Sequence, residues 1–275
     1  MRRIVLCADD YALAPGVSAG IRELLAAGRL NATSVMTIFP ELEDEARALQ
    51  AVKSPIPFQI GLHATLTGGF APLTASPMRR DGGKLPEKLP MSRETWPPLG
   101  YRRIDAAKVK AEVKAQLEKF ISVFGRAPDY VDGHQHTQLM PGIRKPFLDA
   151  VAELAPRAWV RQCAPVHFTD EFFNAKSRFL GALSLPFKRM AKRRKLACNP
   201  AFSGAYDYDK PGDFGASFAR FIKGMPGGGV VMCHPGHADD VLRARDTLTD
   251  QREREFAFLM SEAMPRALQE ARVTL

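Results

Sequence analysis

No uninterrupted apolar run in this sequence approaches the ~20 residues that a membrane-spanning helix requires. The apolar part of the opening MRRIVLCADD is too short, and turns acidic too soon, to read as a secretion signal. Both absences direct the reading to the cytoplasm. Cysteine is sparse as well. Cys7, Cys163, Cys198 and Cys233 stand far apart with no CxxC pair, which excludes a disulfide framework of close spacings and points to reduced thiols. No internal repeat is evident, and no composition break sets off a second domain. At 275 residues, 45% of them hydrophobic, the chain can bury a full core. One α/β barrel of roughly 250 residues would use nearly all of it. The formal charge of +9 favours anionic partners but speaks to attraction and solubility rather than activity.

Strand and helix patterns alternate along the chain. RRIVLCA reads as a buried strand running into a turn that starts at Tyr11. Ser18 to Arg29 then carries the helical period, with Ile21, Leu24, Leu25 and Leu30 on one side. ATSVMTIF predicts a second strand, PELEDEARALQAV a helix opened by proline and early acids, and FQIGLHATL a third strand. Residues 68–103, dense in Gly, Pro and charge, predict a long loop of the kind that is functional or mobile in compact domains. DAAKVKAEVKAQLEKFISVFG predicts a long amphipathic helix stopped at Gly125. A strand at PDYVDGHQH, a helix at GIRKPFLDAVAELA and a strand at AWVRQCA follow. Residues 166–225 read as a basic amphipathic insert. Within it KSRFLGALSLPFKRMAKRRKL mixes Phe, Leu and Met with a cluster of Lys and Arg and is broken by Pro186. The insert is either a solvated helix or a lid that touches a membrane surface or a substrate with an apolar tail. No recognised nucleic-acid-binding fold accompanies the cluster, so nucleic acid is not expected as a partner. GGGVVMCHPGH closes the series as a short strand ending in two histidines, with a charged helix from about Thr249 to Arg272.

Three strings set acids and imidazoles at the ends of apolar runs: CADDYAL, GLHATLT and VDGHQHTQLMPG. In parallel α/β folds the residues just past the strand ends line the active-site mouth, so Asp9, Asp10, His63, His134 and His136 can converge. Two carboxylates with two or three imidazoles suit a hard-to-borderline divalent ion, with one carboxylate left for proton transfer. The chain reads as a metal-dependent hydrolase. On a continuous strand Asp9 and Asp10 point to opposite sides, but a turn starting at Tyr11 can bring both to one mouth. One carboxylate then holds the metal while the other takes a proton from water. A pair that caps the next helix is the alternative. His63, in an apolar surround, is either a ligand or a hydrogen-bonded core residue. An extended DGHQH segment puts His134 and His136 on one side, so that one binds metal and the other contacts substrate or supports a ligand. Asp132 shares their parity and can orient an imidazole by accepting its free N–H. His234 follows VVMC where Pro235 and Gly236 turn the chain, and with an ordinary pKa near ~6.5 it can protonate a departing amine. Arg161 either neutralises or orients Asp9 or is a surface arginine.

These strings carry a resemblance. ADDYAL resembles the ADDFG-type opening, GLHATLT the GLHxxLT string, VDGHQH the DxHxH string and MCHPG the late CHPG string of the YdjC-like carbohydrate deacetylases, a group that includes chitooligosaccharide deacetylases and the deacetylases of hopanoid biosynthesis. They come in the family's order from residue 8 to about residue 237. The resemblance implies a distorted TIM-like (β/α) barrel related to polysaccharide deacetylases, formed by a single domain over residues 1–275. It implies one divalent metal, Mg²⁺ or Zn²⁺, and release of acetate from an N-acetylated amino sugar of an oligosaccharide or glycolipid. Carried over by position, Asp10, His63 and His134 are the metal ligands, Asp9 the base and His234 the acid. His136, Asp132, Arg161 and Tyr11 fall to substrate binding or support of the site. Tyr11 retains the family's aromatic, whereas Ala12 in place of glycine implies a different turn. The segment 176–195 has no counterpart string, and peripheral membrane contact, a lipid-linked substrate and a homodimer stay open. Two rivals stand beside this reading. One is a phosphoesterase, many of which hold two metals ~3.5–4 Å apart; the other is a non-catalytic barrel that binds glycans or membranes.

Overall fold

The computed structural model describes residues 1–74, 104–166, 175–206, 208 and 212–275. Short strands β1 (Arg2–Arg3) and β9 (Val273–Thr274) pair in parallel and hold the chain ends together. The main sheet comprises β2 (Val5–Tyr11), β3 (Ala32–Val35), β4 (Gln59–Ala64), β5 (Tyr130–Gly133), β6 (Trp159–Val160), β7 (Phe202–Ser203) and β8 (Val230–Cys233). All its pairings are parallel, in the order β6-β5-β4-β3-β2-β8-β7. Helices α1 (Pro15–Ala26), α2 (Leu42–Gln50), α3 (Ala106–Phe124), α4 (Arg144–Leu154), α5 (Ala175–Arg193) and α6 (Phe214–Ile222) each follow one strand, and α7 (Asp240–Arg245), α8 (Asp250–Met260) and α9 (Ala263–Glu270) follow β8. Strands covered on both faces need apolar side chains throughout, which is why β2 opens VLCA and β8 reads VVMC.

The barrel is distorted where its ends meet. β6 and β7 share no ladder; residues 197–202, leading into β7, run beside residues 160–164 instead. Val160 N–H donates to the Ala197 carbonyl at 2.8 Å and Phe202 N–H to the Ala164 carbonyl at 2.9 Å. Between them the buried Asn199 side chain does the work of a strand. Its Oδ1 accepts the Gln162 N–H at 2.8 Å, and its Nδ2 donates to the carbonyls of Gln162 at 3.0 Å and Ala201 at 2.8 Å.

Local signals set the helix ends. Pro15 opens α1 at a position whose N–H needs no partner. The Asp105 carboxylate caps α3 by accepting from Ala107 and Lys108, and Gly125 ends it in the left-handed region at φ 69°. Gly236 has a different use: a Cβ there would lie 2.8 Å from the Cα of Val17, so only glycine lets the loop after β8 lie directly on α1.

Three segments differ from the sequence expectation. The stretch His134–Leu139 is a 3-10 helix rather than extended chain. Helix α5 runs through Pro186 instead of breaking there. Proline removes one N–H and crowds the carbonyl four residues back, but Leu180, Ser184, Phe187 and Ala191 form a buried stripe at helical spacing that anchors both sides of it. The described residues of the expected insert, 166–225, thus supply α5, β7 and α6 of the barrel; much of the loop expected at 68–103 lies outside the described residues. Finally, the charged C-terminal helix divides at Ser261 into α8 and α9, because the ring of Pro265 conflicts with the Ser261 carbonyl. All four cysteines are unpaired, and no described helix is long and apolar enough to cross a membrane. Asn199→Ala should leave the Gln162 backbone N–H and carbonyl buried without partners and lower stability by about 1–3 kcal/mol, read as a fall in the urea midpoint at constant m-value.

Candidate active site

The site begins with an irregularity in β2. Ala8 pairs with Thr33 but Tyr11 with Val35, so β2 holds one extra residue, and Asp10 takes a left-handed conformation at φ 68°. Such a bulge re-aims side chains that would otherwise alternate. The bulge and the turn that follows it, closed by the Leu13 N–H donating to the Asp10 carbonyl at 3.0 Å, together turn Asp9 and Asp10 toward the mouth. Tyr11 stays in the strand and leaves the site. Its hydroxyl donates to the Glu45 carbonyl at 2.7 Å and accepts from Arg22 at 2.8 Å, tying β2 to α1 and α2.

Asp10 Oδ1 stands 3.2 Å from His63 Nε2 and 3.1 Å from His134 Nδ1, and the donor atoms of these three residues all lie within 4.8 Å of one another. They arrive at the ends of β2, β4 and β5, three strands of the same sheet. His63 Nδ1 is taken by Asp132 Oδ1 at 2.6 Å, so Nε2 is the nitrogen presented to Asp10 and His134. Burial alone would lower the pKa of His63, but Asp132, Asp9 and Asp10 outweigh it and raise it to about 10. A cation bound by His63 would therefore compete with a proton. One carboxylate and two imidazoles at this spacing fit a divalent ion.

Cys7, Asp9 and Asp132 make a second group of this kind, but Arg161 is already there. Its guanidinium, fully buried, lies 2.6 and 2.7 Å from the two Asp9 oxygens, 2.6 Å from Asp132 Oδ2 and 3.0 Å from Cys7 Sγ. Arg161 is therefore a core cation and not a surface arginine. Burial opposes the charge of Asp9, yet Arg161 and His63 hold its pKa well below the usual carboxylate range. Asp132 links the two groups, with one oxygen on His63 and the other on Arg161.

His234 stands at the end of β8, its Nδ1 3.1 Å from the Tyr208 hydroxyl and its backbone N–H donating to Glu255 at 2.6 Å. Burial, reinforced by Arg252 and His63, pushes its pKa down to about 4 against the pull of Asp10 and Asp9. His136 goes elsewhere: with Gln135 and His136 both at positive φ in the 3-10 helix, its Nδ1 lies 3.6 Å from Cys163 Sγ and its ring edge meets Phe202. The same-side expectation for His134 and His136 fails because the chain coils there.

Arg252, Glu255 and Tyr208 complete the surroundings, and none stood out in the sequence. Arg252, on α8, is fully buried and donates to Asp10 Oδ2 at 2.7 Å. Glu255, one turn on, is raised to about 7 by burial despite hydrogen bonds from Tyr206 and the His234 backbone. The signal was present: Arg252, Glu255 and Leu259 share one face of the helix, and all three are buried. An open cleft of about 170 Å³ leads off from His134 past Leu13, Phe70, Gln135, Arg243 and Asp246.

A family profile described as "YdjC-like protein" matches residues 3–270. A chitooligosaccharide deacetylase of Yersinia pestis is 32% identical over 217 residues, covering 72% of this chain and 81% of that protein. A human carbohydrate deacetylase is 34% identical over 157 residues, covering 54% of this chain; that match spans only 45% of the human protein's length. Among solved structures, an Enterococcus faecalis protein named for cellobiose-phosphate cleavage aligns over 100% of this chain and 96% of its own, with a TM-score of 0.71 at 20% identity, a likeness of fold.

Zn²⁺ added to metal-free protein at pH 7 should release about one proton per ion bound, because His63 must give up its proton to become a ligand. The same competition makes apparent affinity rise with pH until His63 loses its proton unaided, near pH 10. Calorimetry in buffers of different ionisation enthalpy reads the release directly; metal uptake without it would show that His63 is neutral beforehand.

Proposed function

The chain belongs to the YdjC-like family, and on that premise we propose that it is a metal-dependent hydrolase that removes the acetyl group from an N-acetylated amino sugar and releases acetate. The observation that carries this reading is the convergence of Asp10, His63 and His134 within 4.8 Å, with Asp9 and His234 beside them. Asp10, His63 and His134 would hold one divalent ion, Mg²⁺ or Zn²⁺, since such a donor set takes either. Bound there, the ion would polarise the acetamide carbonyl and make a neighbouring water more acidic.

The rest falls to the protein's own groups. Asp9, kept ionised by Arg161, accepts the proton that water loses as it attacks. Tyr208 holds His234 Nδ1, so Nε2 is the nitrogen left to carry a proton. His234 is neutral at pH 7 because burial holds its pKa at about 4. It becomes the acid by receiving the proton that Asp9 has taken, then passes it to the departing amine. Once Asp9 holds the proton, its onward transfer to His234 and then to the amine follows the order of increasing basicity.

Arg161 supports a one-metal site over a two-metal phosphoesterase, since its guanidinium already lies among Cys7, Asp9 and Asp132. Ligands, base and acid together argue against a barrel that only binds. The four unpaired cysteines fit a reducing compartment such as the cytoplasm. For the basic segment we propose peripheral contact with an anionic membrane surface through the outer face of α5. No acidic residue occurs from 175 to 200, and among the described residues Arg178, Lys188, Arg189, Lys192, Arg193 and Lys195 have no carboxylate partner. Each such cation contributes about 1 kcal/mol near an anionic surface. Sedimentation with anionic vesicles at low salt, absent with neutral ones, is the expected result; equal behaviour with both would remove the membrane from the account.

Acetate release from N-acetylglucosamine oligosaccharides and N-acetylglucosaminyl lipids, with and without Mg²⁺ or Zn²⁺, tests the reaction. Metal-dependent release is expected, and a metal-loaded protein silent on every substrate would count against it. Asp9→Asn and His234→Gln should each lower kcat by about 10² to 10⁴ while metal content stays unchanged; full activity in either variant would remove that residue from its role.

A further inference from the structure

Asp10 has two oxygens, and the structure divides them. Oδ1 faces His63 and His134, whereas Oδ2 accepts from Arg252 Nη2 at 2.7 Å. That nitrogen also reaches Asp246 Oδ2 at 2.8 Å, and Arg252 Nε donates to the Leu248 carbonyl at 3.0 Å. Three acceptors thus hold the guanidinium, inside the protein, through two of its nitrogens, and one of those nitrogens lies on the carboxylate that faces the two imidazoles. Asp246 is a half-buried wall residue of the cleft that runs to His134.

We propose that Arg252 is a positioning residue that reserves one oxygen of Asp10, so that Asp10 binds the metal through Oδ1 alone and a coordination position stays open for water or the acetamide. This rests on the metal reading of Asp10, His63 and His134. A free carboxylate can chelate an ion through both oxygens, and a site meant for chemistry, unlike a structural one, must keep a place unfilled. A neutral partner for Oδ2 would leave the Asp10 carboxylate free to rotate. A buried cation fixed at Nε and by Asp246 does not. The arrangement also joins the site to its approach: a ligand that draws Asp246 away from Arg252 would loosen the hold on Asp10, which gives the cleft wall a path to the metal ligand through one side chain.

Two substitutions separate positioning from mere packing. Arg252→Met fills similar space but cannot hold Oδ2. Arg252→Lys places a single ammonium where Nη2 lies, between the two carboxylates. The readouts are the visible absorption of the Co²⁺-loaded protein and kcat and KM for acetate release from chitooligosaccharide. In Arg252→Met the Co²⁺ bands should shift and weaken as Asp10 takes a second coordination position. Its kcat should fall about 10- to 100-fold with KM changed little, the usual scale for a residue that holds a metal ligand. Arg252→Lys should restore the wild-type bands and most of kcat. If Arg252→Met does not fold by circular dichroism, Asp246→Asn decides, since it removes one anchor from a half-exposed position and should shift the bands in the same direction by less. A folded Arg252→Met protein, or failing that Asp246→Asn, with wild-type Co²⁺ bands and kcat overturns the proposal. Wild-type protein that binds no Co²⁺ overturns the metal reading, and the positioning role with it.

Discussion

Three carboxylates, Asp9, Asp10 and Asp132, are buried together at one end of the sheet, and the rest of the site follows from how their charge is answered. Burying an ionised carboxylate without a partner is prohibitively unfavourable, and three side by side also repel one another. Two guanidiniums of equal burial meet them. Arg161 lies between Asp9 and Asp132, and Arg252 holds Asp10. Arg252 also answers Asp246, so the carboxylates outnumber the guanidiniums, and their pull raises the pKa of His63. A divalent ion bound beside Asp10 would supply positive charge where an oxyanion develops.

Fold and charge depend on each other here. The parallel sheet brings Asp9, Asp10, His63, Asp132, His134 and His234 to its strand ends although they come from four separate strands. The β2 bulge then spends local backbone strain at Asp10 so that neighbouring residues serve different partners, Asp9 with Arg161 and Asp10 with the imidazoles. Arg161 stands one residue past β6, where the seam formed by Asn199 and Gln162 begins. The distorted closure of the barrel and the position of its central cation are therefore set by the same stretch of backbone.

Much of this was legible in the order of residues. Apolar runs ending in Asp or His marked the strand ends, and in a parallel fold those ends share one mouth, so Asp9, Asp10, His63, His134 and His234 could be named before any coordinates. What failed did so for local reasons. His136 was placed with His134 by the two-residue period of extended chain, but the chain coils into a 3-10 helix at that point. Tyr11 was placed by adjacency to the aspartates, while the bulge sends its ring to Glu45 and Arg22. Arg252 and Glu255 were hidden because a helix rich in charge reads as solvent-facing. Only their spacing with Leu259 distinguished the inward face. Arg161 could be proposed as a partner for Asp9, but its bridge to Asp132 spans elements that no local pattern connects.

The most direct test of the central claim is anomalous X-ray scattering from crystals of the protein soaked with Zn²⁺ and measured across the zinc edge. The account predicts one peak per chain, within coordination distance of Asp10, His63 and His134. It also predicts none among Cys7, Asp9 and Asp132, where Arg161 supplies the positive charge. A peak in that second group, or none beside His63 and His134, would contradict it.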